Sequence, residues 1–120
     1  MARTVPGPGR PSYLPQKGDE VVVYTHKFKA ENYAEGMKLI EEGFPAAQAK
    51  AGQTRRNYIL TDPSNYEVIL VSFFAPGSNV DEWHKFVGRS DVLKQLQPMW
   101  SEPQRVERFI LEGVADVPGK

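Results

Sequence analysis

The stretch YEVILVSFF, residues 66–74, decides the fold of this chain. Its β-branched and aromatic residues are typical of a strand, and side chains along a strand alternate between two faces. The alternation places apolar side chains on both faces, with Val68, Leu70 and Phe74 on one and Ile69, Val71 and Phe73 on the other. An antiparallel sheet usually exposes one face to water, so this strand predicts a sheet that is covered on both sides.

Three further strands are predicted around this one, at residues 20–28, 54–61 and 105–112. The turn sequence DPSN at 62–65 joins the second and third strands into a hairpin. Asn32 caps a predicted helix after the first strand, where apolar residues recur at helical spacing. Asn79 and Ser90 begin two shorter helices after the third strand, and the inner stripe of the first of these contains Val80, Trp83, His84 and Val87.

The order strand, helix, strand, strand, helix, strand predicts an α+β fold of the ferredoxin-like, split βαβ type. In this fold the helices lie on one face of a four-stranded antiparallel sheet. If six or more apolar side chains of the other face stayed in water, the fold would lose about 1.5 to 3 kcal/mol of stabilising free energy for each of them. The simplest cover is the same face of a second copy, so we predict a homodimer joined through the sheet face.

Length and composition narrow the class of protein. The 120 residues are enough for one domain, and 15 basic residues balance 15 acidic ones, so neither nucleic acid nor a membrane surface is an expected partner. The absence of cysteine excludes a disulfide framework and thiolate chemistry. We find no pattern of a signal peptide or a membrane span, and together with the missing cysteines this predicts a cytoplasmic protein.

Residues 1–18 differ in composition from the rest of the chain, because four prolines and three glycines stand among them. Such a segment disfavours helices and central strands. We therefore predict a Pro/Gly-rich N-terminal arm over residues 1–18 and a single domain over residues 19–120. Two interpretations of the arm stay open, namely a solvated tail and a segment that lies across a neighbouring subunit.

The order of elements and the two-sided apolar sheet resemble the dimeric α/β-barrel superfamily. Within it, the segments YEVILVSFF at 66–74 and VDEWH at 80–84 are similar to the antibiotic-biosynthesis-monooxygenase-like family. The resemblance covers residues 20–114, and Phe74 stands where that family usually has a tryptophan. It implies a pocket between sheet and helices and the oxidation of a small aromatic, quinol or polyketide-like substrate by O₂. It further implies that neither a metal nor a flavin cofactor is used.

A second branch of the same superfamily degrades haem. Its pattern uses an asparagine on the first strand, a tryptophan at the end of the third and a histidine on a later helix. Here the first strand contains no asparagine, and the other two positions are Phe74 and Gln97. The resemblance therefore disfavours haem degradation.

Two histidines are the candidate catalytic groups. His26 shares a strand face with Val22, Tyr24 and Phe28, where a neutral imidazole could act as a base. The alternative is a core histidine whose nitrogens are hydrogen-bonded by the backbone or a tyrosine. His84 follows Trp83 on a helix and could face the same cavity, or it could sit at the boundary with a solvated tip. A metal shared by the two histidines would need a third ligand, so no metal is expected.

Four residues are the candidate contacts with a substrate: Tyr24, Asn57, Phe74 and Trp83. Trp83 could stack on a planar ring, but an inner-stripe tryptophan is equally explained as core. Asn57 opens the second strand on the face opposite Arg56, and this face could contact a deprotonated phenol. The alternative is an ordinary charged sheet edge that discourages aggregation.

The sequence leaves the function open between three classes. The first is a cofactor-independent monooxygenase, as the resemblance implies. The second is a dimer of the same fold that binds a small molecule without turnover. The third is a structural dimer whose proline-rich arm wraps a partner.

Overall fold

The computed structural model describes residues 3–6, 14–51, 54–88 and 90–113. Its strands are β1 (Arg3–Pro6), β2 (Glu20–Lys27), β3 (Thr54–Asp62), β4 (Glu67–Phe74) and β5 (Arg105–Ile110). Its helices are α1 (Tyr33–Ala51), α2 (Val80–Gly88) and α3 (Asp91–Leu96). The four predicted strands are thus β2 to β5, with ends that differ by one or two residues from the predicted ones.

The strands form one antiparallel sheet in the order β1-β3-β4-β2-β5. The order of β3, β4, β2 and β5 is that of a split βαβ unit, which confirms the predicted ferredoxin-like α+β fold. The sequence prediction missed β1, in which Arg3 to Pro6 pair with residues 59 to 56 of β3. The division into an arm and a domain at residue 18 stays a prediction, although part of the arm pairs with the sheet.

The capping residues predicted for the two shorter helices are confirmed. The Asn79 side chain accepts a hydrogen bond from the Glu82 amide at the start of α2, at 3.1 Å. The Ser90 hydroxyl accepts one from the Leu93 amide at the start of α3, at 3.3 Å. Both caps satisfy amide groups that have no partner within the first helical turn, and they fix where these helices begin beside the sheet.

The inner face of the sheet packs against the helices. It comprises the alternate residues of β2 and β4 that are buried, namely Val22, Tyr24, His26, Val68, Leu70, Ser72 and Phe74. Helix α1 contributes Ile40 and Phe44 to this core, and α2 contributes Val80, Trp83 and Val87. The side chains of the strongly apolar β4 divide between the faces as the sequence predicts, because each inner residue pairs with an inner residue of β2.

The outer face of the sheet has no helix over it in the described part of the chain. It comprises Val21, Val23, Thr25, Tyr58, Leu60, Ile69, Val71, Phe73 and Phe109, which the strand register places on one side. Most of these side chains are only partly buried, and Leu60 and Phe109 are exposed. The outer face is therefore apolar and open to a second layer.

Two glycines allow α1 to lie close to its neighbours. A β-carbon on Gly36 would overlap the buried ring of Phe28, and one on Gly43 would lie 2.6 Å from Val92 of α3. Real β-carbons do not approach other atoms this closely, so larger residues would push α1 away from the sheet. The spacing between α1, Phe28 and α3 thus depends on these two positions.

A buried ion pair joins the start of β2 to β3. Asp19 is fully buried, and its two carboxylate oxygens accept hydrogen bonds from Arg55 at 3.0 and 3.1 Å. A bidentate pair of this kind satisfies both groups, so Arg55 is engaged in structure and not in contact with a ligand.

A helix that spans a membrane has to be both long and strongly apolar. None of the helices in the described part of the chain meets both requirements.

Candidate functional site

A cavity of about 220 Å³ lies between the inner face of the sheet and the helices. Its lining is mostly apolar and consists of Tyr24, Phe44, Leu70, Trp83, His84, Val87, Leu93, Gln104 and Val106. Apolar walls with a few polar groups are typical of sites for small molecules. Among the residues that the structure describes, no charged side chain belongs to this lining.

The polar centre of the cavity is a pair formed by Tyr24 and His84. The Tyr24 hydroxyl oxygen lies 2.8 Å from Nε2 of His84, and the two rings meet edge to face with centroids 5.6 Å apart. Strand alternation turns Tyr24 inward from β2, and the helical stripe of α2 brings His84 to the same place. The predicted catalytic residue His84 and the predicted contacts Tyr24 and Trp83 therefore lie together.

Burial governs the titration of this pair. Burial raises the pKa of the Tyr24 hydroxyl well above its usual value, and a hydrogen bond with Trp83 opposes that rise only in part. Burial also lowers the pKa of His84, and the positive charge of Arg108 lowers it further. Near pH 7 the site thus holds a neutral phenol beside a neutral imidazole.

Arg108 on β5 connects the cavity region to the N-terminal turn of α2. Its guanidinium donates hydrogen bonds to Glu20 of β2 and to Asp81 of α2, the latter at 2.8 Å. The hydrogen bond from Arg108 holds the pKa of the Asp81 carboxyl below its usual range. The three charged groups hold β2, β5 and α2 together next to His84.

The other predicted catalytic residue, His26, lies outside the cavity lining. It is fully buried, with its ring between those of Phe28, Phe44 and Trp100 at centroid distances of 5.6 to 6.3 Å. Nδ1 lies 3.1 Å from the carbonyl oxygen of Val68, and Nε2 lies 2.8 Å from the amide nitrogen of Gln104. Both nitrogens are hydrogen-bonded, and burial lowers the pKa of His26 to about 4.

The predicted substrate contacts Asn57 and Phe74 are not part of the cavity lining either. Asn57 is buried, and its side-chain oxygen accepts a hydrogen bond from the Ser72 hydroxyl at 2.6 Å. Phe74 is fully buried in the core at the end of β4. Their assigned roles, like that of His26, stay predictions from the sequence.

Sequence reasoning missed Gln104, which lines the cavity and contacts His26. It lies in the irregular segment before β5, where no periodic pattern assigns a direction to a side chain. The only available signal was its position directly before a strand whose Val106 faces inward. No group of three or more potential metal ligands lies together among the residues that the structure describes.

Comparisons with known proteins support the fold. No family model matches the chain, and no curated protein is significantly similar to it in sequence. A dimeric ferredoxin-like protein from an uncultured marine organism superposes with a TM-score of 0.62 at 9% identity, over 87% of this chain and 95% of that one. A protein of unknown function from Nitrosomonas europaea gives a TM-score of 0.61 at 15% identity, over 88% and 99%.

An uncharacterised NIPSNAP domain protein from Burkholderia xenovorans is also similar in structure, with a TM-score of 0.54 at 12% identity over 83% of this chain and 99% of that one. At such low identities the similarity shows the ferredoxin-like fold and no activity. The comparisons do not confirm the resemblance to the antibiotic-biosynthesis-monooxygenase-like family, which stays a prediction.

Proposed function

We propose that the protein is a homodimeric, cofactor-independent monooxygenase that oxidises a small aromatic, quinol or polyketide-like molecule with O₂. The observation that carries the proposal is the Tyr24–His84 hydrogen bond of 2.8 Å in the wall of an apolar cavity. A hydroxyl and a neutral imidazole in contact form a pathway along which a proton can leave a bound ligand.

In the proposed reaction the ligand hydroxyl donates to the Tyr24 oxygen, while the Tyr24 hydroxyl donates to Nε2 of His84. Moving both protons one step gives a ligand anion and an imidazolium, with Tyr24 neutral before and after. The raised pKa of Tyr24 fits this role, because the group passes a proton on without becoming charged. Trp83, Leu70 and Val87 exclude water from the anion.

The ligand anion is the reductant in this proposal. An activated CH₂ carbon of an anthrone-like ring loses two hydrogens and gains one oxygen atom as a carbonyl group. The second oxygen atom of O₂ leaves with those two hydrogens as water, so the four electrons lost by carbon are the four gained by O₂. The ring donates to Tyr24 in its enol form, in which one of those two hydrogens is the hydroxyl proton. The proton that His84 returns is therefore one of the two in the water that forms, and its return restores the starting site.

The homodimer is proposed to form through the outer face of the sheet. Its partly buried centre, Val23 with Ile69 and Val71, is apolar and open, and association would remove this surface from water. The structurally similar protein from a marine organism is described as dimeric. We propose no nucleic-acid or membrane partner, and the cysteine-free sequence supports a cytoplasmic location.

Oxygen uptake tests the proposed reaction. Purified, metal-free protein is mixed with a panel of quinols, anthrones and flavonoid-like phenols, and consumption of O₂ is followed without added cofactor. We expect protein-dependent uptake with at least one compound and a loss of about 100-fold or more in Tyr24→Phe, which cannot pass a proton on. The matched control is Tyr66→Phe, which removes a hydroxyl from an exposed turn. Equal rates in both variants would contradict the relay.

A second candidate function is binding of the same class of molecule without turnover. It is favoured because the described residues of the cavity lining include no charged side chain, and an anion without a positive partner is costly in an apolar site. Thermal stabilisation by panel compounds without any oxygen uptake would support this candidate over the monooxygenase. We do not propose haem degradation.

A further inference from the structure

The proposed proton transfer through Tyr24 and His84 does not use one polar side chain of the cavity lining, that of Gln104. Gln104 lies directly before β5 and lines the cavity, and its amide nitrogen is 2.8 Å from Nε2 of the buried His26. Within the described part of the chain, it is the only residue of the lining that forms a hydrogen bond with this imidazole. Gln104 therefore connects a histidine outside the cavity to the space inside it.

The hydrogen bonds of His26 determine which end of the Gln104 amide faces the imidazole. Nδ1 of His26 lies 3.1 Å from the carbonyl oxygen of Val68, and a carbonyl oxygen can only accept, so Nδ1 carries the hydrogen. In a neutral ring Nε2 is then an acceptor. The atom of Gln104 beside it has to donate, which identifies it as the amide nitrogen on chemical grounds.

The carbonyl end of the same amide is left for another partner. Among the described residues, no hydrogen bond to Oε1 of Gln104 is present. A turned amide, with Oε1 toward His26, would set two acceptors against each other, so the imidazole holds the side chain in one orientation. The cavity thus has a second polar group besides the Tyr24–His84 pair, and this group accepts.

We infer that Oε1 of Gln104 accepts a hydrogen bond from the ligand and that His26 is a positioning residue that fixes the amide for this contact. The inference rests on the proposed function only in taking the cavity as the ligand site. It narrows the proposed substrates to rings with two hydroxyl groups, such as a quinol, because such a ring satisfies both polar groups. A ring with one hydroxyl leaves an acceptor desolvated and unpaired.

Binding of two matched probes tests the inference. Dihydroxynaphthalene and naphthol are titrated into the protein by calorimetry under nitrogen, so that oxidation plays no part. We expect the protein to bind dihydroxynaphthalene about tenfold more tightly, which corresponds to one ordinary hydrogen bond. In Gln104→Met, of similar length but without an acceptor amide, the affinity for dihydroxynaphthalene falls to that for naphthol. Equal affinities in the unmodified protein, or a preference that survives in Gln104→Met, would overturn the inference.

The role of His26 has its own measurement. His26→Phe keeps a ring among Phe28, Phe44 and Trp100 but no longer orients the amide, so the ratio of the two affinities should fall toward one. A purely structural role would instead weaken both probes equally and leave the ratio at its original value, which would contradict the positioning role. Gln104→Met decides the acceptor role even when His26→Phe does not fold.

The outcomes also separate this inference from the proposed function. If the unmodified protein binds neither probe, both the ligand site and the inference fail. If naphthol binds and dihydroxynaphthalene shows no advantage, only the inference fails. Oxygen uptake does not enter either result.

Discussion

Tyr24 and His26 are two residues apart on the inner face of β2, yet their side chains have different surroundings. Tyr24 reaches the cavity and pairs with His84, whereas His26 is enclosed by aromatic rings and uses both nitrogens within the protein. Strand alternation predicts that both side chains point inward. It does not predict which of them borders empty space, because that depends on the helices that pack above.

His26 makes the stability of the protein depend on pH. Burial lowers its pKa from 6.5 to about 4, so the unfolded chain takes up a proton at a higher pH than the folded one. The free energy of unfolding should therefore be highest above pH 6.5 and decrease by about 3 kcal/mol as the pH falls to about 4.

Urea denaturation at several pH values measures this contribution. In His26→Leu the part of the decrease that belongs to His26 should be missing between pH 6.5 and 4. The matched variant His84→Leu retains His26 and should retain the part of the decrease that belongs to His26. The same pH dependence in His26→Leu and in the unmodified protein would contradict a buried, neutral His26.

At the scale of elements, the clearest sequence patterns were sufficient to predict which helices and strands form. The two-sided apolar run of β4, the hairpin turn at 62–65 and the caps Asn79 and Ser90 predict the elements that form. Strand β1 could not be predicted, because its four residues RTVP lie within the Pro/Gly-rich segment 1–18 and carry no repeated pattern. Its pairing depends on the free edge of β3, which only the folded sheet provides.

The position of α1 on the sheet depends on the missing side chain of Gly36. Gly36→Ala adds a β-carbon into the ring of Phe28, and we expect it to lower the free energy of unfolding by about 1 to 3 kcal/mol through overpacking. This direction opposes the gain of about 1 kcal/mol that alanine usually brings to a helix.

Chemical denaturation of a double-mutant cycle isolates this contact. In a Phe28→Leu background the smaller side chain makes room, so Gly36→Ala should cost less there than in the unmodified protein. An increase in stability from Gly36→Ala alone would show that α1 does not lie as close to β2 as the structure has it.

At the scale of the whole molecule, the sheet has two apolar faces with separate tasks. The inner face and its helices enclose the cavity, and the outer face is proposed to join two subunits. Strand alternation predicts both faces, and the resemblance to a known family implies a pocket between sheet and helices. The full lining of the cavity could not be predicted, since its volume is what remains after Phe44, Trp83 and Leu93 have packed. The apolar surface of the outer face predicts that another layer covers it. That this layer is a second subunit is tested by measuring the mass of the protein.

The mass of the protein in dilute solution tests this division most directly. Sedimentation equilibrium at micromolar concentration should give twice the mass of one chain. Val71→Lys, which places a charge at the centre of the outer face, should give the mass of one chain with the helix and strand content retained. Phe86→Lys, which changes an exposed apolar residue on α2, should leave the mass at two chains. A single-chain mass for the unmodified protein would contradict the account.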